Sequence, residues 1–522
     1  LSAGAYSLSN LSELLPSGGG QNEVEFVASG TLPNGKPVIL NSNGTVTAVG
    51  LSAQSVPIEV PTGTKTSFET IEIKSSDVNW DGDTGHFIVV WQKSASAAAD
   101  RYGAAKVGTV VGNVITYGST YVFSSAYSAD VKIAIDPNTA GKFTIAWSGS
   151  PSGSRVPRAI IGTYTGTGAS ASMSFGTEFV IEDTATGTSN IAITYDKNTA
   201  GRFVYMYQAT GSGSKGRGVC GNIASGATTA TMGSIVTWSE TAVAFVESIG
   251  YDKTADKFIT SYRDSSASNA LSAIVGTISS TNTLTFGTRT TSSITGMSES
   301  YIAVDPLRTN SSVIAYRIGA VPQALVATLS GTAVSFGTPV TFSTGDTYNL
   351  AVMMGSGTQD VGGLFYVSDY GPTGVYTIKA RSLTVSGTSI SYGTEYTMQT
   401  NTDAYHTSAE FNPAQSGQFV ATYNDPNSPA AGNSRLGQLL VGLQQATNLT
   451  STNLLGISAE AITSGATGKI NVLGGLNKGQ SSLTPASIYY VQSNGTISTV
   501  STSPAQKIGQ AISATTLNIL DL

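Results

Sequence analysis

The chain of 522 residues has one cysteine, Cys220, and two histidines, His86 and His406. A single thiol excludes an intrachain disulfide framework and leaves Cys220 the role of a small buried hydrophobe. Neither histidine has a Ser or Cys partner at a recognisable spacing, so no hydrolytic triad is indicated, and a two-histidine metal site would require the two to meet. Charge is scarce as well. Asp, Glu, Lys and Arg make up 11% of the residues, against roughly a quarter in typical soluble domains. The 26 basic and 32 acidic residues are spread thinly, for a net charge of −6. No Lys/Arg cluster could neutralise a run of phosphates, which argues against nucleic acid as a partner. No apolar run approaches the roughly 18 residues of a membrane helix, so membrane insertion is not expected. No phosphate loop of the Gly-x4-Gly-Lys-Ser/Thr kind occurs. The chain begins at Leu1 with neither a charged nor an apolar leader segment. The expectation is a soluble protein, processed or partial, with no visible signal peptide. Dense runs of Ala, Leu, Glu and Lys are missing too, which removes long helices.

What remains is Gly (59 residues), Ser and Thr around short stretches of Val, Ile, Tyr and Phe, the composition of strands and turns. One phrase recurs at a spacing of about 55 residues. It reads Ile133-Ala-Ile-Asp136-Pro-Asn-Thr-Ala-Gly141-Lys-Phe143, then Ile193-Thr-Tyr-Asp196-Lys-Asn-Thr-Ala-Gly201-Arg-Phe203, then Ile249-Gly-Tyr-Asp252-Lys-Thr-Ala-Asp256-Lys257-Phe258. Each copy is an apolar strand, a tight turn and a second apolar strand. The turn Asp recurs at Asp81, Asp136, Asp196, Asp252 and Asp305; Asn412 takes its place in another copy, and a degenerate copy surrounds Gly355–Phe365. A second marker, aromatic or Met followed by Gly and then Thr or Ser, appears at Tyr117, Phe175, Met232, Phe286, Phe336 and Tyr392. Each full unit then carries four short strands, and four antiparallel strands repeated radially make a β-propeller blade.

Seven first halves stand against six second halves. A ring needs its last blade completed, because an open propeller leaves unpaired sheet edges. Ser55–Val60, similar to Gly337–Phe342, is expected to supply the missing outer strand. The fold class is therefore all-β: a seven-bladed propeller of four-stranded blades over residues 51–446, with a small β-domain made from the N- and C-terminal flanks. Residues 1–22 form an N-terminal arm, 23–50 the first part of the small domain, and 447–522 its second part. The first flank contains a hairpin with the Asn-Gly turn Asn43-Gly44.

The flanks resemble modules of tail-fibre and virion-surface proteins of tailed bacteriophages, marine ones especially. The resemblance rests on Gly35-Lys-Pro-Val-Ile-Leu-Asn-Ser-Asn-Gly-Thr-Val46 and on the stretch from Gly456-Ile-Ser-Ala-Glu-Ala-Ile462 through Tyr489-Tyr-Val-Gln-Ser-Asn-Gly-Thr496 to Leu517. It covers roughly 100 residues of the flanks and carries no catalytic residues. It implies a non-enzymatic structural virion protein, a tail fibre, spike or decoration, located on the virion surface outside the cell. Such a protein has other virion proteins or sister subunits in a homo-oligomer as partners, and host attachment through a host cell-surface glycan or protein as its task.

The site most open to a cofactor is Asp77-Val-Asn79-Trp-Asp81-Gly-Asp83, where Asp77, Asn79, Asp81 and Asp83 open like a calcium loop. The twelfth position is Ile88 rather than a bidentate Glu, and Asp81 coincides with the turn Asp of the other units, so an Asx-type hairpin turn competes with calcium. No other cofactor is indicated. Ligand contacts are expected in the loops that vary most between units, at Arg101, Tyr102, Arg155, Arg158, Lys215 and Arg217. The alternative function is a secreted carbohydrate-binding or glycoside-hydrolysing propeller. The latter needs two carboxylates facing across a sugar; the Ser-x-Asp-x-Gly-x-Thr-Trp turn of sialidases is absent from all units.

Overall fold

In a computed structural model the described residues are 22–55, 65–82, 84–93, 101–112, 114–150, 155–184, 187–244, 246, 248–355, 359–368, 376–402, 405–415, 417–425, 432–438, 443–492, 494–501 and 506–520. Among them every regular element is a strand or a short 3-10 turn, and the strands pair antiparallel, with one isolated parallel bridge between Ala28 and Val46. The chain divides into two compact units, Leu1–Val56 with Gly442–Leu522, and Pro57–Val441. The all-β expectation holds, and the larger unit is propeller-like.

In the larger unit, successive sheets of four to six strands follow the sequence repeat. The second sheet is typical: Tyr127–Ile135, Lys142–Ser150 and Val156–Thr165 pair in order, and the short pieces Ser172–Phe175 and Phe179–Val180 share the outer edge. The second strand is buried on both faces almost throughout, as in Lys142–Ser150 and Arg202–Ala209. That is the mark of a strand covered by sheets on both sides. The marker glycine breaks the outer strand for a steric reason. A Cβ on Gly176 would lie 1.9 Å from the Thr228 carbonyl, and one on Gly337 would lie 2.3 Å from that of Thr388. The hairpin of the next sheet presses its backbone against that spot.

First strands contact one another in a cycle: Ile73–Asp81, Tyr127–Ile135, Ser189–Tyr195, Ile249–Asp252, Met297–Val304, Thr347–Met354, Tyr405–Phe411, and back to Ile73–Asp81. The strand that completes the last sheet of this cycle is Thr66–Glu69, which pairs with Gly432–Gln438. This corrects the expectation for Ser55–Val60. Ser55 ends Leu51–Ser55, which instead pairs with Leu443–Thr447 in the smaller unit; residues 56–60 lie outside the described set. The physical reason is an aromatic pair built into the sheets. Phe68 of the closing strand lies 5.1 Å from Trp91, as Phe123 does from Trp147 (5.2 Å), Trp238 from Tyr262 (4.9 Å) and Phe342 from Tyr366 (5.1 Å). The closing strand must deliver that ring, and Ser55–Val60 has no aromatic residue to deliver.

In the smaller unit, Glu23–Val27, Thr467–Asn471, Leu454–Ser458, Pro37–Leu40 and Val46–Ala48 are neighbours in one sheet, so two strands from the C-terminal end lie between strands from the N-terminal end. A second sheet contains Leu476–Asn477, Leu517–Ile519, Gln506–Ala511, Ile488–Val491 and Ile497–Ser498. Ile39 and Val49 share a core with Ile457, Tyr489, Val491 and Ile508.

Phe68 is 1% exposed, so Phe68→Ala should lower the unfolding free energy of the larger unit by about 3–5 kcal/mol in urea. The half-exposed Val321 (48%) should tolerate alanine within about 0.5 kcal/mol. Equal effects at the two positions would contradict the closing role.

Candidate functional site

The repeated turn Asp comes first, because it fixes the geometry of everything around it. Its Oδ1 accepts an N–H from its own turn: Asn138 to Asp136 (3.0 Å), Asn198 to Asp196 (2.7 Å) and Leu307 to Asp305 (2.9 Å). That is the turn-capping role expected of an Asx turn. Its Oδ2 reaches into the next sheet, accepting from Gly141 to Asp81 (2.9 Å), Gly201 to Asp136 (2.8 Å), Asn310 to Asp252 (2.5 Å) and Asp360 to Asp305 (2.7 Å). Each of these donors sits at positive φ, from 61° to 73°. The left-handed residue turns its N–H back toward the preceding sheet.

This arrangement also revises the calcium reading. Asp77, Asn79 and Asp81 lie at alternate positions of one extended strand, Ile73–Asp81, rather than in a ligand loop. Asp77 accepts from the Ile133 N–H (2.9 Å) and the Ser408 hydroxyl (2.7 Å), Asn79 from the Ile135 N–H (3.1 Å), and Asp81 from Tyr164 (2.6 Å) in addition to Gly141. Their oxygens join sheets. Asp83 lies outside the described residues. No group of three or more metal-ligating side chains occurs among the described residues. His86 is buried edge-on to the Tyr164 ring, and the side chain of His406 lies outside the described set. Burial pushes the Cys220 thiol up to about 12, so it carries no thiolate chemistry.

The loop candidates come to one end of the sheets. Arg101 and Tyr102 lead into Gly103–Val111, Arg155 and Arg158 flank the start of Val156–Thr165, and Lys215 and Arg217 open Lys215–Asn222. The structure adds their counter-charges. Arg158 pairs with Glu178, Arg217 with Glu182, and Lys215 with Glu240 (2.5 Å). The same end carries Lys93–Glu69 (3.5 Å), Arg289–Asp264 (2.7 Å), Arg317–Glu299 (2.5 Å) and Lys379–Glu395 (2.9 Å). Burial pushes the Glu182 carboxyl up, but hydrogen bonds from Tyr207, Arg217 and Thr184 outweigh it and hold the group below the usual carboxylate range. Half-buried tyrosines stand beside these pairs. Lys93 lies over the Tyr102 ring at 5.2 Å and Arg317 over that of Tyr348 at 4.9 Å, while Tyr348 and Tyr376 are 6.1 Å apart. Arg155 acts on the half-buried Asp130, whose carboxyl is raised by desolvation.

A second place was not foreseen. The first strands enclose an axial cavity of about 350 Å³ at the end bearing the Asp turns. It continues into a narrower one of about 150 Å³. The wider part is walled by Ile133, Ile193, Ile249, Ile302, Val352 and Phe411, with Lys197 and Glu410 in its lining. Burial pushes the Glu410 carboxyl up to about 7, with Lys197 opposing the shift. Burial likewise lowers Lys197, with Glu410 opposing. The signal was in the alignment. Lys197 stands where Pro137, Pro306 and Pro413 stand in other units, and Glu410 where Ala134, Thr194, Gly250 and Ala303 stand.

No family model matches the chain, and no curated protein does. Among solved structures, a lectin, BP39L from Burkholderia pseudomallei, is similar at 10% identity and a TM-score of 0.50, covering 70% of this chain and 97% of its own. Sqt1 from Chaetomium thermophilum, bound to the N-terminus of ribosomal protein L10, matches at 10% identity and 0.44, covering 72% and 89%. A protein of unknown function from Dyadobacter fermentans matches at 11% and 0.42, covering 73% and 99%. The likeness to the lectin concerns the fold.

The raised Glu410 fixes the sign of a pH effect. Between the ordinary carboxylate range and about 7 the folded chain holds a proton that the unfolded chain has lost. Stability from this group is therefore full at acid pH and lost as pH rises through 7. Glu410→Gln should flatten the fall in thermal midpoint between pH 5 and 8, and an unchanged slope would count against the shift.

Proposed function

We propose that the larger unit is a seven-bladed β-propeller that works as a non-catalytic recognition head for neutral carbohydrate. The cyclic contacts of the first strands and the closing strand Thr66–Glu69 support the ring. The observation that carries the ligand class is the belt of self-paired charges among half-buried tyrosines at one end of the sheets. A guanidinium already held by a carboxylate gains little from an anionic ligand, which would have to displace its partner. Such a surface still offers spare N–H donors, carboxylate acceptors and ring faces. That combination suits sugar hydroxyls and the apolar face of a pyranose, since an aromatic ring offers a large apolar surface with a polar tip. The fold likeness to a lectin is in keeping with this reading.

The wider setting belongs to the same proposal: a virion-surface protein of a tailed phage. Its flanking unit would contact sister subunits or other virion proteins, and its head would meet the host surface. This part rests on the flank motifs alone. Many copies of a weak head would convert single contacts into firm attachment. A glycosidase remains the second reading of the same surface; release of reducing sugar by the full chain would favour it.

The test is binding of the full chain to a panel of neutral, sialylated and sulfated glycans at low and high salt. Neutral glycans should bind with little salt dependence. Tyr102→Ala and Tyr348→Ala should each weaken binding by about 1–2 kcal/mol, roughly five- to thirtyfold. Preference for the anionic glycans, or loss of binding at high salt, would overturn the proposal.

A further inference from the structure

The axial cavity sits at the opposite end of the sheets from the paired belt, and its charges behave differently. Lys197 follows the turn Asp of the third sheet, and Glu410 lies on the first strand of the last one. In the cycle of first strands, two strands separate these positions one way and three the other. They therefore face each other across the cavity. Neither the Lys197 ammonium nor the Glu410 carboxylate has an ion pair or side-chain hydrogen bond among the described residues, unlike most charged groups of the paired belt. Each feels the other's field, yet they stand too far apart to close a salt bridge. Between them the lining mixes aliphatic side chains, from Ile133, Ile193, Ile249, Ile302 and Val352, with polar atoms, Asn79, Thr194, Tyr195 and Tyr251 among its residues.

The half-buried Lys197 and Glu410 each give up part of their hydration without a direct partner, which costs free energy unless an opposite charge is supplied. Neighbouring charges supply only part of the compensation, with Asp252 favouring the charged Lys197. Asp252, close to Lys197, is occupied by the N–H groups of Thr254, Ala255 and Asn310. Lys253, at the position equivalent to Lys197 in the fourth sheet, is exposed and not part of the lining. Asp77, near Glu410, is held by Ile133 and Ser408. Lys132 lines only the narrower part and acts on the half-buried Asp130.

We propose that the wider axial cavity binds a chain-like zwitterion, its carboxylate on Lys197, its ammonium on Glu410, and an apolar spacer between them against the isoleucine wall. The ligand class is that of ω-amino acids and short apolar peptides. A cavity of about 350 Å³ falls at the small end of ligand pockets. Glu410 departs from the repeat and Lys197 shares its residue type only with the exposed Lys253, while the isoleucines of the wall come from the repeat itself. This inference is independent of the carbohydrate reading, since it concerns other residues at the other end of the sheets.

The test is calorimetric titration of the full chain with glycine, 4-aminobutanoate, 6-aminohexanoate and 8-aminooctanoate, and with hexylamine and hexanoate as singly charged controls. The expected result is an optimum at one intermediate spacer length, with the matching amine and acid at least tenfold weaker. Lys197→Met should abolish the advantage of the zwitterion over the amine, and Glu410→Gln its advantage over the acid. Circular dichroism would confirm that both variants keep their strands. Lys132→Met should leave the optimum in place. Absence of binding by the whole series, equal affinity for the singly charged controls, or loss of the optimum on Lys132→Met but not on Lys197→Met would each overturn the assignment.

Discussion

The structure depends on a single carboxylate used twice. A four-stranded sheet in a radial array must hold its own turn shut and also fix its angle to the next sheet. Backbone ladders run within sheets and cannot do the second job. The turn Asp does both, one oxygen on its own turn and the other on a left-handed N–H of the following sheet. Asp136 is 1% exposed. In that low-dielectric place a carboxylate accepting backbone N–H bonds is strong, and each N–H it serves would cost about 1–3 kcal/mol if orphaned. Glu would be too long to cap its own turn, and Asn would present an N–H₂ group to one of the two donors.

Departures from this device are locally compensated. Asp196 turns its Oδ2 to the Arg202 Nε (2.5 Å). In the fourth sheet Asp256 takes the left-handed position (φ 55°) and receives the Asn198 amide and the Tyr251 hydroxyl, so the joint between these sheets passes through side chains. Asn412 caps its own turn through Ala414 and spends its amide on Gln418 (2.7 Å). Near the last joint the indole of Trp80 donates to the Glu410 carbonyl (3.1 Å), and Ser408 donates to Asp77. The joint between the last and first sheets, where no peptide continues the repeat, therefore uses other contacts.

Much of this was legible in the sequence, and the limits have physical causes. Strand content and repeat spacing follow from composition and from the Asp and Gly turns, which are local signals. The turn-capping half of Asp136 was equally local. Its other half was not, since its partner Gly201 lies 65 residues away and no pattern within one unit announces it. The closing strand was misplaced because Ser55–Val60 matches another unit in backbone style. The feature that decides the matter is one ring, Phe68 against Trp91. Matching Phe68 with Phe123, Trp238 and Phe342 would have found it. Of the loop residues, Arg158, Lys215 and Arg217 each pair with an acidic side chain, Glu178, Glu240 and Glu182, partners that no pattern within the loops announces.

The same logic separates the scaffold from the places where ligands can act. A residue that recurs in every unit is under a geometric demand that every unit shares, and a ligand breaks that equivalence by touching some units and not others. Pro137, Pro306 and Pro413 stiffen their turns in the same position, where Lys197 and the exposed Lys253 give up rigidity for charge. Ala134, Thr194, Gly250 and Ala303 keep the axis small and neutral, where Glu410 gives up that neutrality. Burial works against both charges. Two facing positions of opposite sign, neither closed into an ion pair among the described residues, answer no geometric demand that the other units share. They have the form of a site whose partner comes from outside.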